Sequence, residues 1–123
     1  MLNSRQRLGQ SGEKTVIRYL EKNGYTILIK NYRCKIGEID IIARDGADLV
    51  FIEVKTRSGL GYGSPAAAVT IRKQRQITRA AQWYLAEQQL FDAPARFDVI
   101  SVLRGEANLP QIDHINNAFD LCE

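Results

Sequence analysis

Apolar residues first recur at helical spacing: Val16, Ile17 and Leu20 share one face of a stretch from Leu8 to Asn23, and Asn23-Gly24 supplies the stop. Tyr25 to Tyr32 reads as a strand of mixed pattern, followed by a polar connection through Ile36. Two runs rich in Ile and Val, Glu38 to Arg44 and Leu49 to Arg57, flank Asp45-Gly46-Ala47-Asp48 and predict a β-hairpin. Ser64-Pro65 is a helix start signal, and the helical pattern continues to Leu90 with a break near Val69-Thr70. Its stripe is Ile77, Ala81, Tyr84, Leu85 and Gln88. Arg96 to Leu103 alternates Phe97, Val99 and Ser101 against Asp98, Ile100 and Val102, and Gln111 to Ile115 adds a short edge strand.

The hairpin carries the candidate chemistry. Regular alternation puts Ile39, Ile41 and Ala43 on one face of its first strand and Glu38, Asp40 and Ile42 on the other. On the second strand Val50, Ile52 and Val54 oppose Phe51, Glu53, Lys55 and Arg57. A four-residue loop sets Asp40 opposite Glu53, a two-residue loop shifts the pairing to Glu38 with Glu53, and an odd loop or a bulge separates the carboxylates. Facing carboxylates repel, and cross-strand pair effects of roughly 0.2–1 kcal/mol would not select them for folding alone. A divalent cation reverses the sign. Mg²⁺ is commonly held by one or two carboxylates plus substrate phosphate, which suits Asp40 and Glu53. Lys55, one pleat beyond Glu53, can reach a scissile phosphate or an attacking water.

Glu13 extends the apolar stripe of the first helix and is either a site carboxylate or a solvated first-turn acid. Gly59, Gly61 and Gly63 suggest a phosphate cradle only superficially, since neither a Rossmann nor a P-loop context follows; a mobile loop beside the acidic face is the better reading. Arg72, Lys73, Arg75 and Arg79 form either a solvated helix face or a phosphate-binding one, with Lys73 and Gln74 reaching back to the site. Arg33 and Lys35 could also touch phosphate. Asp98 is better explained by pairing with Arg96 than by catalysis, and His114, the only histidine, reads as structural.

A length of 123 residues suits one domain, with its core over about 8–103 and a short C-terminal edge strand or tail. A hydrophobic share of 45% and a charged share of 25% are ordinary for a soluble globular chain. The net charge of +3 and a pI near 9.0 agree with a nucleic-acid partner without requiring one. Cys34 and Cys122 form no zinc or disulfide pattern, and no run has signal-peptide or transmembrane length, so a reduced, cytoplasmic protein away from membranes is expected.

Asp40, twelve residues, then Glu53-Val54-Lys55 is similar to the PD-(D/E)xK nuclease superfamily. The phrases GEKTVIRYLEKNGY, GEIDIIARDG, FIEVKTR and RFDVI, spread over Leu8 to Leu103, resemble the YraN family of small bacterial endonuclease-like proteins. The resemblance implies an α/β, restriction-endonuclease-like fold in αβββαβ order, a mixed central sheet flanked by helices and related to archaeal Holliday junction resolvases. It implies Mg²⁺ or Mn²⁺ at Asp40, Glu53 and the Val54 carbonyl, Lys55 as the third catalytic residue and Glu13 as a fourth. Ile39 stands where the name-giving proline would be, which puts the local strand bend in question.

The expected activity is metal-dependent hydrolysis of phosphodiester bonds in DNA, branched or junction DNA included, by a Mg²⁺-dependent endodeoxyribonuclease. By analogy, paired nicking of a junction would call for a homodimer. The rivals are a nucleic-acid-binding module with a vestigial nuclease site, and a protein-interaction subunit whose carboxylates bind metal for stability alone.

Overall fold

The computed structural model describes residues 4–58, 69–104 and 110–119, with side chains described over 12–56, 69–103 and 110–119. The glycine-rich loop and the Ser64-Pro65 helix start lie outside the described residues. The order is α1 (Ser4–Lys22), β1 (Thr26–Arg33), β2 (Glu38–Asp45), β3 (Asp48–Ser58), α2 (Ile71–Glu87), β4 (Ala95–Arg104) and β5 (Pro110–Phe119). All five strands form one sheet in sequence order. The β3–β4 pair is parallel, with α2 in the connection between them, and the other three pairs are antiparallel. This mixed sheet with two helices agrees with the restriction-endonuclease-like expectation. Among the described residues no helix is long and apolar enough to cross a membrane.

The two helices cover opposite faces because each strand sends alternate residues to each side. Val16 and Leu20 of α1 pack with Ile41, Ala43, Val50, Ile52, Ile100 and Val102. Ile77, Ala80, Ala81 and Tyr84 of α2 pack with Ile42, Leu49, Phe51, Phe97 and Val99. The expected stripe of α2 thus holds except at Gln88, which caps the helix C-terminus and is exposed. Thr70 caps the N-terminus, its hydroxyl accepting the Lys73 N–H at 3.1 Å, which is why the helical pattern breaks there. Midway along its length α1 lies so close to β3 that a Cβ on Gly12 would stand 2.2 Å from Thr56 Oγ1. Only glycine permits this approach, and it delivers the neighbouring Glu13 to the sheet.

The hairpin register is the expected one, Arg44 opposite Leu49 and Ile41 opposite Ile52. The turn is shorter than four residues, because Asp45 and Asp48 also pair and leave Gly46-Ala47 between them without shifting the register. The short edge strand becomes a ten-residue β5. Its polar sequence hides it, as is usual for a strand with one edge in solvent.

β5 is fastened by a buried polar network. Asp98 is fully buried; its carboxylate accepts from the Arg96 guanidinium at 3.2 Å, from His114 Nε2 at 2.7 Å and from the Asn117 backbone N–H at 2.9 Å. Arg96 also donates to Asp45, to Asp48 and to the Tyr25 hydroxyl, while the Tyr19 hydroxyl meets His114 Nδ1 at 2.9 Å. Burial alone would raise the Asp98 pKa. The His114, Asn117 and Arg96 bonds outweigh it and hold the group below its ordinary value. Asp98 and His114 are therefore structural, as their sequence context suggests.

Asp98→Asn should cost about 3 kcal/mol of stability near pH 7, since it breaks a buried charge network. Because the folded pKa is depressed, that contribution is present above ~3.9, the ordinary Asp value, and is lost as pH falls through the folded value. Urea unfolding of both proteins at pH 7 checks this, and a loss under about 0.5 kcal/mol contradicts it.

Candidate active site

The site forms where β2 leaves β3. Their paired register ends at Ile41 with Ile52, and beyond it Asp40 Oδ2 accepts the Val54 backbone N–H at 2.8 Å. A side chain replaces a ladder carbonyl. The cause is a break in alternation: Ile41 packs under α1 but Ile39 packs under α2, so the strand turns over by one residue at Asp40. On β1, across from this break and between the Lys30–Ile41 and Tyr32–Ile39 pairs, Asn31 adopts a left-handed backbone with φ +54°. Asn tolerates that conformation better than most residues. The expectation that Ile39, Ile41 and Ala43 share one face is therefore corrected, because the regular pleat it assumed stops at Asp40.

Glu53 keeps the regular pattern, standing with Phe51 on the α2 face, only 6% exposed. The Asp40 and Glu53 carboxyl groups stand near enough for each to act on the ionisation of the other. Lys55 Nζ lies 3.5 Å from Glu53 Oε1, and Lys73 Nζ, from the first turn of α2, lies 3.9 Å from the same oxygen. Gln74, expected beside it, instead donates to the Val69 carbonyl at 3.0 Å and secures the helix start.

Three acids converge electrostatically. Burial, then the charge of Asp40, pushes the Glu53 pKa up to about 7 in spite of Lys73 and Lys55. Burial also raises Asp40, against the Val54 N–H, the Glu53 bond and Lys73. Glu13 is raised by burial and by Asp40, while a hydrogen bond to Asn31 pulls the other way. Glu13 thus lies in the field of the pair without joining its donors: among the described residues no three His, Cys, Asp or Glu side chains stand close enough to share an ion. The donor set is two carboxylates. Hard oxygen donors of this kind fit Mg²⁺ or Mn²⁺, with water and phosphate completing the shell. The Val54 N–H is already committed to Asp40, which locks the main chain beside both acids.

Arg72, Arg75 and Arg79, also on α2, line an open cleft of about 480 Å³ with Ile36, Ile71 and Gln76. A neighbouring cleft of about 300 Å³ is lined by Arg33, Cys34, Gly37, Glu38, Lys73 and Gln76. Arg33 also pairs with Glu38 at 3.3 Å, both side chains well exposed. Asn31 and Gln76 are site neighbours that sequence reasoning missed. An Asn inside a strand pattern was the available signal for the first, and nothing in the sequence distinguished the second.

Residues 12–102 match the model of a family described as "Uncharacterised protein family UPF0102". A UPF0102 protein from Geobacter metallireducens is 55% identical over 114 residues, covering 93% of each chain. One from Geotalea uraniireducens is 52% identical, covering 93% of this chain and 90% of its own, and one from Caldicellulosiruptor saccharolyticus is 44% identical, covering 96% and 100%. Among solved structures, Pyrococcus furiosus SfsA in complex with Ca²⁺ gives a TM-score of 0.39 at 13% identity, covering 91% of this chain and 63% of that one, a likeness too slight to carry an argument. The chain belongs to the UPF0102 family, the YraN family that the wording of its first helix and hairpin resembles.

Proposed function

We propose that this protein is a Mg²⁺- or Mn²⁺-dependent endonuclease acting on DNA, with Asp40 and Glu53 as the metal carboxylates. The observation that carries this reading is the pairing of a half-buried Asp40 with a buried Glu53, both raised in pKa, with two lysine ammonium groups beside Glu53. Nothing in the fold requires two acids here, and their mutual repulsion opposes folding. A hard cation turns that cost into binding energy.

When bound, the ion supplies Lewis-acid polarisation of a phosphate and acidification of a water. The protein does the rest. Val54 holds the Asp40 carboxylate through its N–H, so one oxygen is fixed. Lys55, about one-third exposed, can orient a water and offset charge that develops on the phosphate. Lys73 brings a second ammonium from α2, and Arg72, Arg75 and Arg79 offer contacts to the flanking backbone.

A second reading, a DNA-binding module with a vestigial site, is favoured by one observation: no third metal-ligating side chain joins the pair among the described residues. It predicts salt-sensitive DNA binding without turnover.

Two measurements test the proposal, and the first of them separates it from the vestigial reading. With Mg²⁺ or Mn²⁺, a panel of branched, single-stranded and duplex DNAs should be cleaved, and Asp40→Asn or Lys55→Ala should slow cleavage at least about 100-fold, or ~3 kcal/mol of barrier, while DNA affinity changes little. Cleavage by Asp40→Asn at the wild-type rate contradicts the assignment.

The second needs no substrate. Since the folded Glu53 pKa is raised to about 7 from 4.5, the folded state keeps a proton that the unfolded state loses. Stability therefore falls as pH rises through that window. Glu53→Gln should raise Tm at pH 8 by about 5 °C, on the order of 1–2 kcal/mol, and change it little at pH 4.5. A lower Tm at pH 8 in metal-free buffer would show the pair to be a stabilising feature and remove the argument from electrostatic cost.

A further inference from the structure

The cleft beside α2 joins features that phosphate binding alone does not explain. Ile71 is 57% exposed and Ile36 is 36% exposed, and both line the same cleft as Arg72, Arg75, Arg79 and Gln76. Exposed aliphatic side chains are common singly. Here two of them, from the β1–β2 connection and from the first residue of α2, meet in one concavity whose rim holds three guanidinium groups. Its volume of about 480 Å³ falls in the ~300–1,000 Å³ range of clefts that enclose small organic ligands.

This cleft adjoins a second one whose Lys73 reaches Glu53. Gln76 lines it and also lines the adjoining cleft with Lys73, Gly37 and Arg33. A Cβ on Gly37 would stand 3.0 Å from Gln76 Cγ, so the connection before β2 lies against α2 at this point. Lys73 neighbours Gln76 and Gln76 neighbours Arg79 at three-residue spacing, a row that winds around α2 away from Glu53.

We propose that this cleft receives an unstacked nucleobase next to the scissile phosphate, so that the preferred substrate is DNA with unpaired bases at the cleavage point. The proposal rests on reading this face as the nucleic-acid side. Paired, stacked DNA presents phosphates and groove edges, which suit the arginines, but it keeps its base faces covered. Ile36 and Ile71 gain contact only when a base leaves the stack, as aliphatic wedges do at unstacked steps. Gln76 carries both a donor and an acceptor, and an unpaired base has a free hydrogen-bonding edge to meet them. The arginines hold the sugar-phosphate backbone on either side.

The test is binding in EDTA, where no cleavage competes, to a labelled duplex with a short single-stranded gap and to the same duplex fully paired. The native protein should bind the gapped DNA about tenfold more tightly. Ile36→Ser with Ile71→Ser should bring the two affinities to within about twofold of each other by weakening the gapped complex alone, with the salt dependence unchanged. Arg72→Gln with Arg75→Gln and Arg79→Gln should instead weaken both complexes and flatten the salt dependence. If the double variant folds poorly, Ile71→Ser alone, at the more exposed position, should still reduce the preference several-fold. Equal binding of both DNAs by the native protein, or a preference that survives the isoleucine substitutions, overturns the proposal. Neither result touches metal-dependent cleavage, and a failure to cleave would leave the binding preference standing.

Discussion

One hydrogen bond organises the functional end of this molecule, the Val54 N–H donated to the Asp40 carboxylate. In a regular antiparallel pair that N–H would meet a main-chain carbonyl. Giving it to a side chain ends the β2–β3 ladder at Ile41 and aims Asp40 along the sheet toward Glu53. The reversal of face between Ile39 and Ile41 and the left-handed Asn31 opposite accompany this one departure. Irregular pairing of this kind re-aims side chains, and sheets use it beside sites of chemistry.

The molecule buries two kinds of carboxylate, and the contrast assigns their roles. Asp98 is met by a guanidinium, an imidazole and a main-chain amide, and its pKa falls. Glu53 is also buried, but the charge beside it is that of another acid, Asp40, and its pKa rises even with two lysines nearby. The first arrangement stabilises the fold by itself. The second costs stability by itself, and its hard oxygen donors suit the divalent cation proposed above.

Much of this was legible in the chain, for reasons that differ by element. The hairpin could be read because Ile and Val runs flanking a Gly-containing turn leave few alternative registers with a buried face. Glu53 and Lys55 followed from the alternation of β3, whereas the expected pairing of Asp40 with Glu53 is not part of the register, which stops at Ile41 and Ile52. The reversal at Asp40 could not be read, since alternation is a rule about regular strands and Ile39 is apolar on either face. β5 was mostly hidden: Pro110, Gln111, Asp113, His114, Asn116 and Asn117 do not spell a strand until Asp98 supplies the partner that His114 and the Asn117 N–H require. Lys73 was singled out in the sequence together with Gln74, and the placement of α2 over the sheet brings the first to Glu53 while the second turns to the Val69 carbonyl.

Crystals grown with Mn²⁺ and measured at its absorption edge test the central claim most directly. The account predicts one anomalous peak within ~2.0–2.3 Å of oxygens from both Asp40 and Glu53, absent from crystals of the Glu53→Gln protein grown in the same way. Full-length protein saturated with Mn²⁺ that shows no peak there, or a peak held by other residues, would contradict it.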